Sequence, residues 1–362
     1  MNPIDLDPVK AWVAKTFKHP KLVTCCRISP SGRWIVAGAV DSKVHLWDIE
    51  TEAKTSLEGH AGWVTSIAFS ADGTRMLTTD TQGGVRAWWV EDSGAVPLWT
   101  AADSHAGWVR ASAASPDGRY FATAGNDRVV RLWATADGRK VREFSGHTGE
   151  IFSLAFHPDG RSLVSGDMYG KVCHWDVEKG TLVRELDATA LHTRGEDFMA
   201  DVGGVRSMAF DATGERFACG GLSEAKSNTF SPGTPTVIVF DWAAGKPLVK
   251  SRIPGDKVDG PVNALRFLPN GTLAGTGEGQ SLGALWFWKP GEADPYHSVQ
   301  QQAGYAIDLH PDGRRLAVAT FEPIGRGGNG RHVARGAYLG NGGSVRLFNL
   351  FAKPAATKPA KK

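Results

Sequence analysis

The sequence predicts an all-β chain: seven four-stranded antiparallel sheets closed into one ring. Three observations predict it. First, a short turn phrase ending in glycine recurs seven times in 362 residues, at Gly32, Gly73, Gly118, Gly160, Gly214, Gly271 and Gly313. SPSG, SADG, SPDG and HPDG are its first four versions. Second, the first four units hold two further landmarks in register. A Trp follows each glycine by 15 residues, and a His precedes each Trp by 28: His19 and Trp47, His60 and Trp88, His105 and Trp133, His147 and Trp175. Third, the segments between landmarks are short and β-type, and none sustains a 3.6-residue period. One small sheet cannot cover both of its own faces, so the units must stack on one another.

Taken in order, the cores of the units are expected near 22–48, 63–89, 108–134, 150–176, 204–241, 261–289 and 304–349. In the second unit Val64–Phe69 alternates before its turn. In the third, Arg119–Thr123 follows the turn, Asn126-Asp127 supplies turn chemistry, and Val129–Trp133 and Lys140–Phe144 complete the sheet. The seventh unit ends at its third strand, Ser344–Phe348. Val9–Lys15 stands before Lys18-His19 as a fourth strand stands before Gly-His elsewhere. This early segment is therefore expected to complete the last sheet, which leaves no open strand edge to template aggregation. One domain over 1–352 follows, with a disordered Lys/Pro/Ala tail over 353–362.

These landmarks carry a family resemblance. Gly59-His60 and Gly146-His147, with Trp47-Asp48 and Trp175-Asp176, resemble the GH and WD signatures of the WD-repeat β-propeller. The resemblance covers about residues 9–352 and fades in the last three units, where Phe240 and Phe348 replace Trp and Trp288 is followed by Lys289. It implies a seven-bladed β-propeller whose blades are held by a His, Ser/Thr, Asp, Trp hydrogen-bonded tetrad. His105, Thr123, Asp127 and Trp133 match that tetrad fully. Counting along the repeat puts Ala37, Gln82 and Tyr169 where the first, second and fourth tetrads need a hydroxyl or an acid, so those three are expected to be broken. These His and Asp residues are read as structural, because a buried indole N–H and imidazole need partners.

The interruptions of the repeat point to function. Extra residues fall near Asp187–Gly204, Leu222–Thr236 and Phe321–Gly343. In a propeller all three connections emerge on one rim, and insertions confined to one face mark a binding face. On that rim Trp63 and Trp108 sit just before inner strands. Eight residues before each turn glycine lies a ring: Thr24, Thr65, Arg110, Phe152, Arg206, Asn263 and Tyr305. Aromatic residues and Arg dominate binding hot spots. The seventh-unit loop adds Arg326, Arg331, His332, Arg335 and Tyr338. A protein or peptide partner bound across this face is the leading expectation. An enzyme or small-ligand binder using the central channel, and a nucleic-acid-associated factor using the loop and tail, are the alternatives.

Composition narrows the classes. With 41% apolar and 22% charged residues the chain is globular rather than disordered. No apolar run approaches the length of a membrane span. Cys25, Cys26, Cys173 and Cys219 are too few for a disulfide scaffold and show no zinc spacing, and the first residues hold Asp5 and Asp7 rather than a leader's apolar run. A reducing, cytoplasmic setting is expected. The net charge is +3, but the tail holds four lysines and no acid, so the rest of the chain is near neutral. That disfavours nucleic acid. Gly279–Gly283 fits GxSxG and Gly325–Gly330 fits GxGxxG, yet neither stands in a strand–turn–helix setting, so no catalytic residue, cofactor or metal is expected.

Overall fold

Each recurring glycine reverses the chain at a position other residues resist. In a computed structural model describing residues 6–101, 104–197, 199–228, 232–253, 258–279, 282–322, 331–332, 338–339 and 342–353, all seven turn glycines have φ between 69° and 80°. A side chain is strained in that left-handed region and glycine is not. Among the described residues these turns join the first two strands of seven four-stranded antiparallel sheets, arranged as a β-propeller. Blade 3 shows the pattern from the axis outward: Val109–Ala114, Tyr120–Gly125, Val129–Ala134 and Lys140–Ser145. Blade 7 is built from Gly304–Leu309, Arg315–Glu322 and Gly342–Asn349, and Trp12–His19 closes it with Phe17 opposite Val345.

Burial grades outward. In blade 1 the strands Trp34–Ala39 and Val44–Asp48 are buried throughout, whereas outer Lys54–Leu57 is mostly exposed. Middle strands covered on both faces read as near-continuous apolar runs rather than alternating ones. The core lies between blades rather than within them. Phe17, Val345 and Leu347 of blade 7 pack with Cys26, Ile35 and Trp47 of blade 1, and Leu132 and Phe144 of blade 3 pack with Leu154 and Trp175 of blade 4.

In blade 3 a line of donors runs through the buried polar cluster. Trp133 Nε1 donates to Thr123 Oγ1 at 2.8 Å, Thr123 meets His105 Nε2 at 2.8 Å, and His105 Nδ1 meets Asp127 at 3.1 Å. Blades 2 and 4 depart from the expectation of broken tetrads. Their acid is not at Gln82 or Tyr169 but two residues earlier. His60 Nδ1 meets Asp80 at 2.8 Å and His147 Nδ1 meets Asp167 at 2.8 Å, with Thr78 and Ser165 as the shared hydroxyls. The second strand ends in an acid there instead of the glycine that ends it in blade 3, so the carboxylate reaches His from the strand rather than from the turn.

Blade 1 lacks the hydroxyl at Ala37, and its His is reversed. His19 Nε2 points at Asp41 (3.0 Å) and its Nδ1 faces Lys54 Nζ (2.8 Å), while His45 Nε2 reaches the same carboxylate at 3.1 Å.

Candidate functional site

The ring of seven residues at the channel mouth has a backbone origin. The ladder between first and second strands slips by one residue at Thr24, Thr65, Arg110, Phe152, Asn263 and Tyr305. A β-bulge leaves its extra residue out of the pairing and re-aims the side chain. Arg206, the blade-5 member, lies just before its strand Ser207–Phe210, and its amide bonds Gly220. All seven are half-buried beside fully buried neighbours.

Much of this ring ties blades together. Thr24 donates to the Val64 carbonyl and Thr65 to the Val109 carbonyl, each crossing to the next blade. Asn263 donates to the Gly304 carbonyl at 3.0 Å, and Arg110 bonds Glu150 of blade 4 at 2.9 Å. Arg110 also belongs, with Phe152 and Arg206, to a different surface. The Arg110 guanidinium lies 4.9 Å from both the Trp108 and Phe152 rings, and the Arg206 guanidinium lies 4.5 Å from Phe152 on the far side of the sequence of blades. Trp63 and Trp108 are 6.1 Å apart with rings tilted by 57°, and they are 47% and 39% exposed. Their backbones are fixed: Trp63 bonds Thr81 in both directions, and the Trp108 carbonyl accepts the Asn126 amide. Each presents an apolar ring to solvent from a rigid base.

Beside Arg206, on the adjoining blade 6, stands Glu278, which sequence reasoning did not single out. Burial pushes its carboxyl up, against the opposing pulls of Asn263, Arg206 and Tyr305. Burial and the Glu278 charge push the Tyr305 phenol up in turn. Burial, then the Arg110 charge, lowers Arg206. A signal for Glu278 was present in the repeat: it follows Gly277 at the end of a second strand, as Asn126 follows Gly125, and Asn126 holds Arg110 Nε at 2.6 Å.

Two of the three long connections meet on this rim. The crossover from blade 4 to blade 5 contains a hairpin, His192–Gly195 with Ala200–Gly203, and the Ala225 amide of the blade-5 extension bonds Thr193 Oγ1 at 3.1 Å. Gly203 is required there, because a Cβ would fall 2.1 Å from the Leu191 carbonyl oxygen. In the third, Glu322 pairs with Gly342. Arg326 and Arg335 lie outside the described residues, as do the GxGxxG glycines, the centre of the GxSxG segment and residues 354–362; of Arg331 only the backbone pairing with Leu339 is described.

One cluster among the described residues brings three metal-type donors together, His19, Asp41 and His45. Its hydrogen bonds are already consistent without an ion. Lys54 can only donate, so His19 Nδ1 accepts and Nε2 carries the proton toward Asp41. His45 likewise donates from Nε2 to Asp41 and places Nδ1 2.8 Å from the Ser56 hydroxyl. An ion would have to displace both protons and turn Lys54 away. Among the described residues no helix is long and apolar enough to cross a membrane.

Comparison with known proteins agrees with this architecture. The WD domain, G-beta repeat model matches residues 12–48, 51–88, 97–134 and 138–176. The periodic tryptophan protein 2 homolog of Schizosaccharomyces pombe is 25% identical over 48% of this chain and 16% of its own length. WD repeat-containing protein 1 of Xenopus tropicalis is 26% identical over 45% of this chain and 28% of its own. The guanine nucleotide-binding protein subunit beta of Arabidopsis thaliana is 24% identical over 74% of this chain and 57% of its own. The chain thus spans less than two thirds of the length of these relatives. The chain carries four WD repeats within a seven-bladed β-propeller, and three further blades of the same build close the ring.

Proposed function

We propose that the chain is a non-catalytic interaction scaffold that binds a protein or peptide on the rim bearing Trp63, Trp108 and the long connections. The observation that carries this reading is the exposed Trp63–Trp108 pair, held on pinned backbone next to Arg110. Rigid aromatic anchors beside Arg are the residues that concentrate binding energy at interfaces. The non-catalytic part is supported by the buried His and Asp groups, which are spent on each other inside blades 2–4. Kinship with a G-protein beta subunit supports a role inside an assembly. A reducing, cytoplasmic setting suits four buried cysteines without disulfides.

The test is affinity capture from the source organism with the intact chain and with Trp63→Ala and Trp108→Ala. Loss of an anchor of this kind should weaken the principal partner by about tenfold or more, with the thermal midpoint unchanged. Capture that is equally strong with both variants would remove this rim as the binding face.

A further inference from the structure

The two mouth arginines are not equivalent. Arg110 is spent: Nε bonds Asn126 at 2.6 Å, and a terminal nitrogen bonds Glu150 at 2.9 Å. Arg206 is not. Among the described residues its hydrogen bond is from Nε to the Gly203 carbonyl at 3.0 Å, which leaves the terminal nitrogens of the fork available. Its guanidinium is oriented by the Phe152 face 4.5 Å away. A cation held this way in a half-buried mouth calls for an anion, and a guanidinium recognises a planar carboxylate through two parallel hydrogen bonds.

We propose, resting on the scaffold reading above, that Arg206 takes the side-chain carboxylate of an acidic residue in the partner segment, while Phe152, Trp108 and Trp63 pack against its apolar neighbours. The neighbouring blades 6 and 7 select the size of the charge. Glu278, on the adjoining blade 6, lies with Asn263 and Tyr305, and burial weakens its tendency to ionise, so it offsets Arg206 only in part. The residual field suits one negative charge and disfavours a dianion, which any ionised Glu278 would repel. Asn263 and Tyr305 are engaged with Glu278, and Asn263 also with the Gly304 carbonyl, so the carboxylate falls to the Arg206 fork. The occupant is therefore an acidic peptide segment rather than a phosphorylated one.

The experiment uses the full chain and fluorescence anisotropy with three labelled, end-blocked nonapeptides. They share one sequence and carry Leu-Glu-Leu, Leu-Gln-Leu or Leu-phosphoserine-Leu at the centre. The Glu peptide should bind about tenfold tighter than the Gln peptide, the scale of one charge-assisted pair, and the preference should shrink as salt rises. Arg206→Gln should abolish the Glu-over-Gln preference, and Arg206→Lys should keep part of it. Trp63→Ala should weaken both peptides alike. Equal binding of Glu and Gln peptides by the unaltered chain overturns the carboxylate assignment even if Arg206→Gln fails to fold. A phosphoserine peptide that binds tightest overturns the single-charge assignment, and binding of none of the three overturns the proposal. The partner capture with Trp63→Ala decides the scaffold reading separately.

Discussion

Blades 2–4 and blades 5–7 share strand order, turn glycine and burial, yet they satisfy their buried polar positions by different chemistry. In blades 2–4 an indole, a hydroxyl, an imidazole and a carboxylate are linked in line. In blade 5 Cys219 occupies the hydroxyl position, and a Ser223–Thr236 pair at 2.8 Å sits farther along the strand. In blade 6 Thr276 accepts from Gln301 at 3.1 Å, and Trp288 donates instead to Ser251 of blade 5 at 2.9 Å. In blade 7 Thr320 stands where Asp80 and Asp167 stand in their blades and pairs with Ser344 at 2.9 Å. The fold therefore requires partners for whatever polar group is buried, not one particular tetrad. Removing a whole polar set is close to neutral, whereas removing one member is costly. That asymmetry explains how the later blades could lose the signature and keep the architecture.

The largest test of this contrast is removal of a single acid. Asp127→Ala leaves His105 Nδ1 without its carboxylate and Arg131 with Glu143 alone, and loss on the order of 3 kcal/mol is expected in urea unfolding. Asp80→Ala should cost about the same, because burial pushes its carboxyl up but His60 and the Gly84 and Gln82 amides bring it down to about 2. Gln82→Ala should cost about 0.5 kcal/mol or less, as an ordinary surface change. Comparable losses at 80 and 82 would return the acid's role to the turn.

These positions also show what could be read from residues alone. The seven glycines mark left-handed turns, so their spacing revealed the blade count and the closing strand. The spacing could not reveal that the acid moves from turn to strand in blades 2 and 4, because both loops have the same length and only the backbone path differs. The mouth ring was legible as a constant offset from the turn. Its cause, a bulge in six inner strands, was not, since a bulge adds no marker residue. Thr24, Thr65 and Asn263 share the ring's offset from the turn, and their hydrogen bonds go to the next blade. Glu278 escaped because its neighbours in sequence carry no motif, and its environment comes from blades 5, 6 and 7 together.

Blade 1 lies between the two regimes and supplies a pH-dependent test. Burial first, then the charges of His19 and Lys54, pulls His45 from 6.5 down to about 4. The folded state thus keeps His45 neutral where the unfolded chain would protonate it. Its contribution is fully present above pH 6.5 and is lost as pH falls toward about 4. The size is on the order of 3 kcal/mol or less. His174, buried near Arg184, is also held down to about 4 and adds to the same window. The carboxylate of Asp80 titrates lower, between about 4 and 2, so the two regimes separate on the pH axis. Urea midpoints measured from pH 7 to pH 4 should fall, and His45→Asn should flatten part of that fall. An unchanged slope in the variant would mean that His45 is charged in the fold, with Nδ1 as well as Nε2 donating, and that burial does not hold it neutral.

The smallest effect is expected in the second regime. Ser223→Ala removes one hydroxyl of the blade-5 pair, but Thr236 Oγ1 still has the Thr234 carbonyl at 2.9 Å. The loss should be about 1 kcal/mol, well below that of Asp127→Ala. Thr236→Val should cost a similar amount, since Ser223 keeps a long contact with Thr234 at 3.4 Å. The informative quantity is the double variant. If the pair is a self-contained substitute for a tetrad, removing both hydroxyls together costs less than the two single losses added, because neither partner is then stranded. Strict additivity would mean that each hydroxyl is satisfied by the backbone alone. Blade 5 would then hold its strands with no side-chain device, and the comparison with blades 2–4 would become one between a polar lock and plain apolar packing.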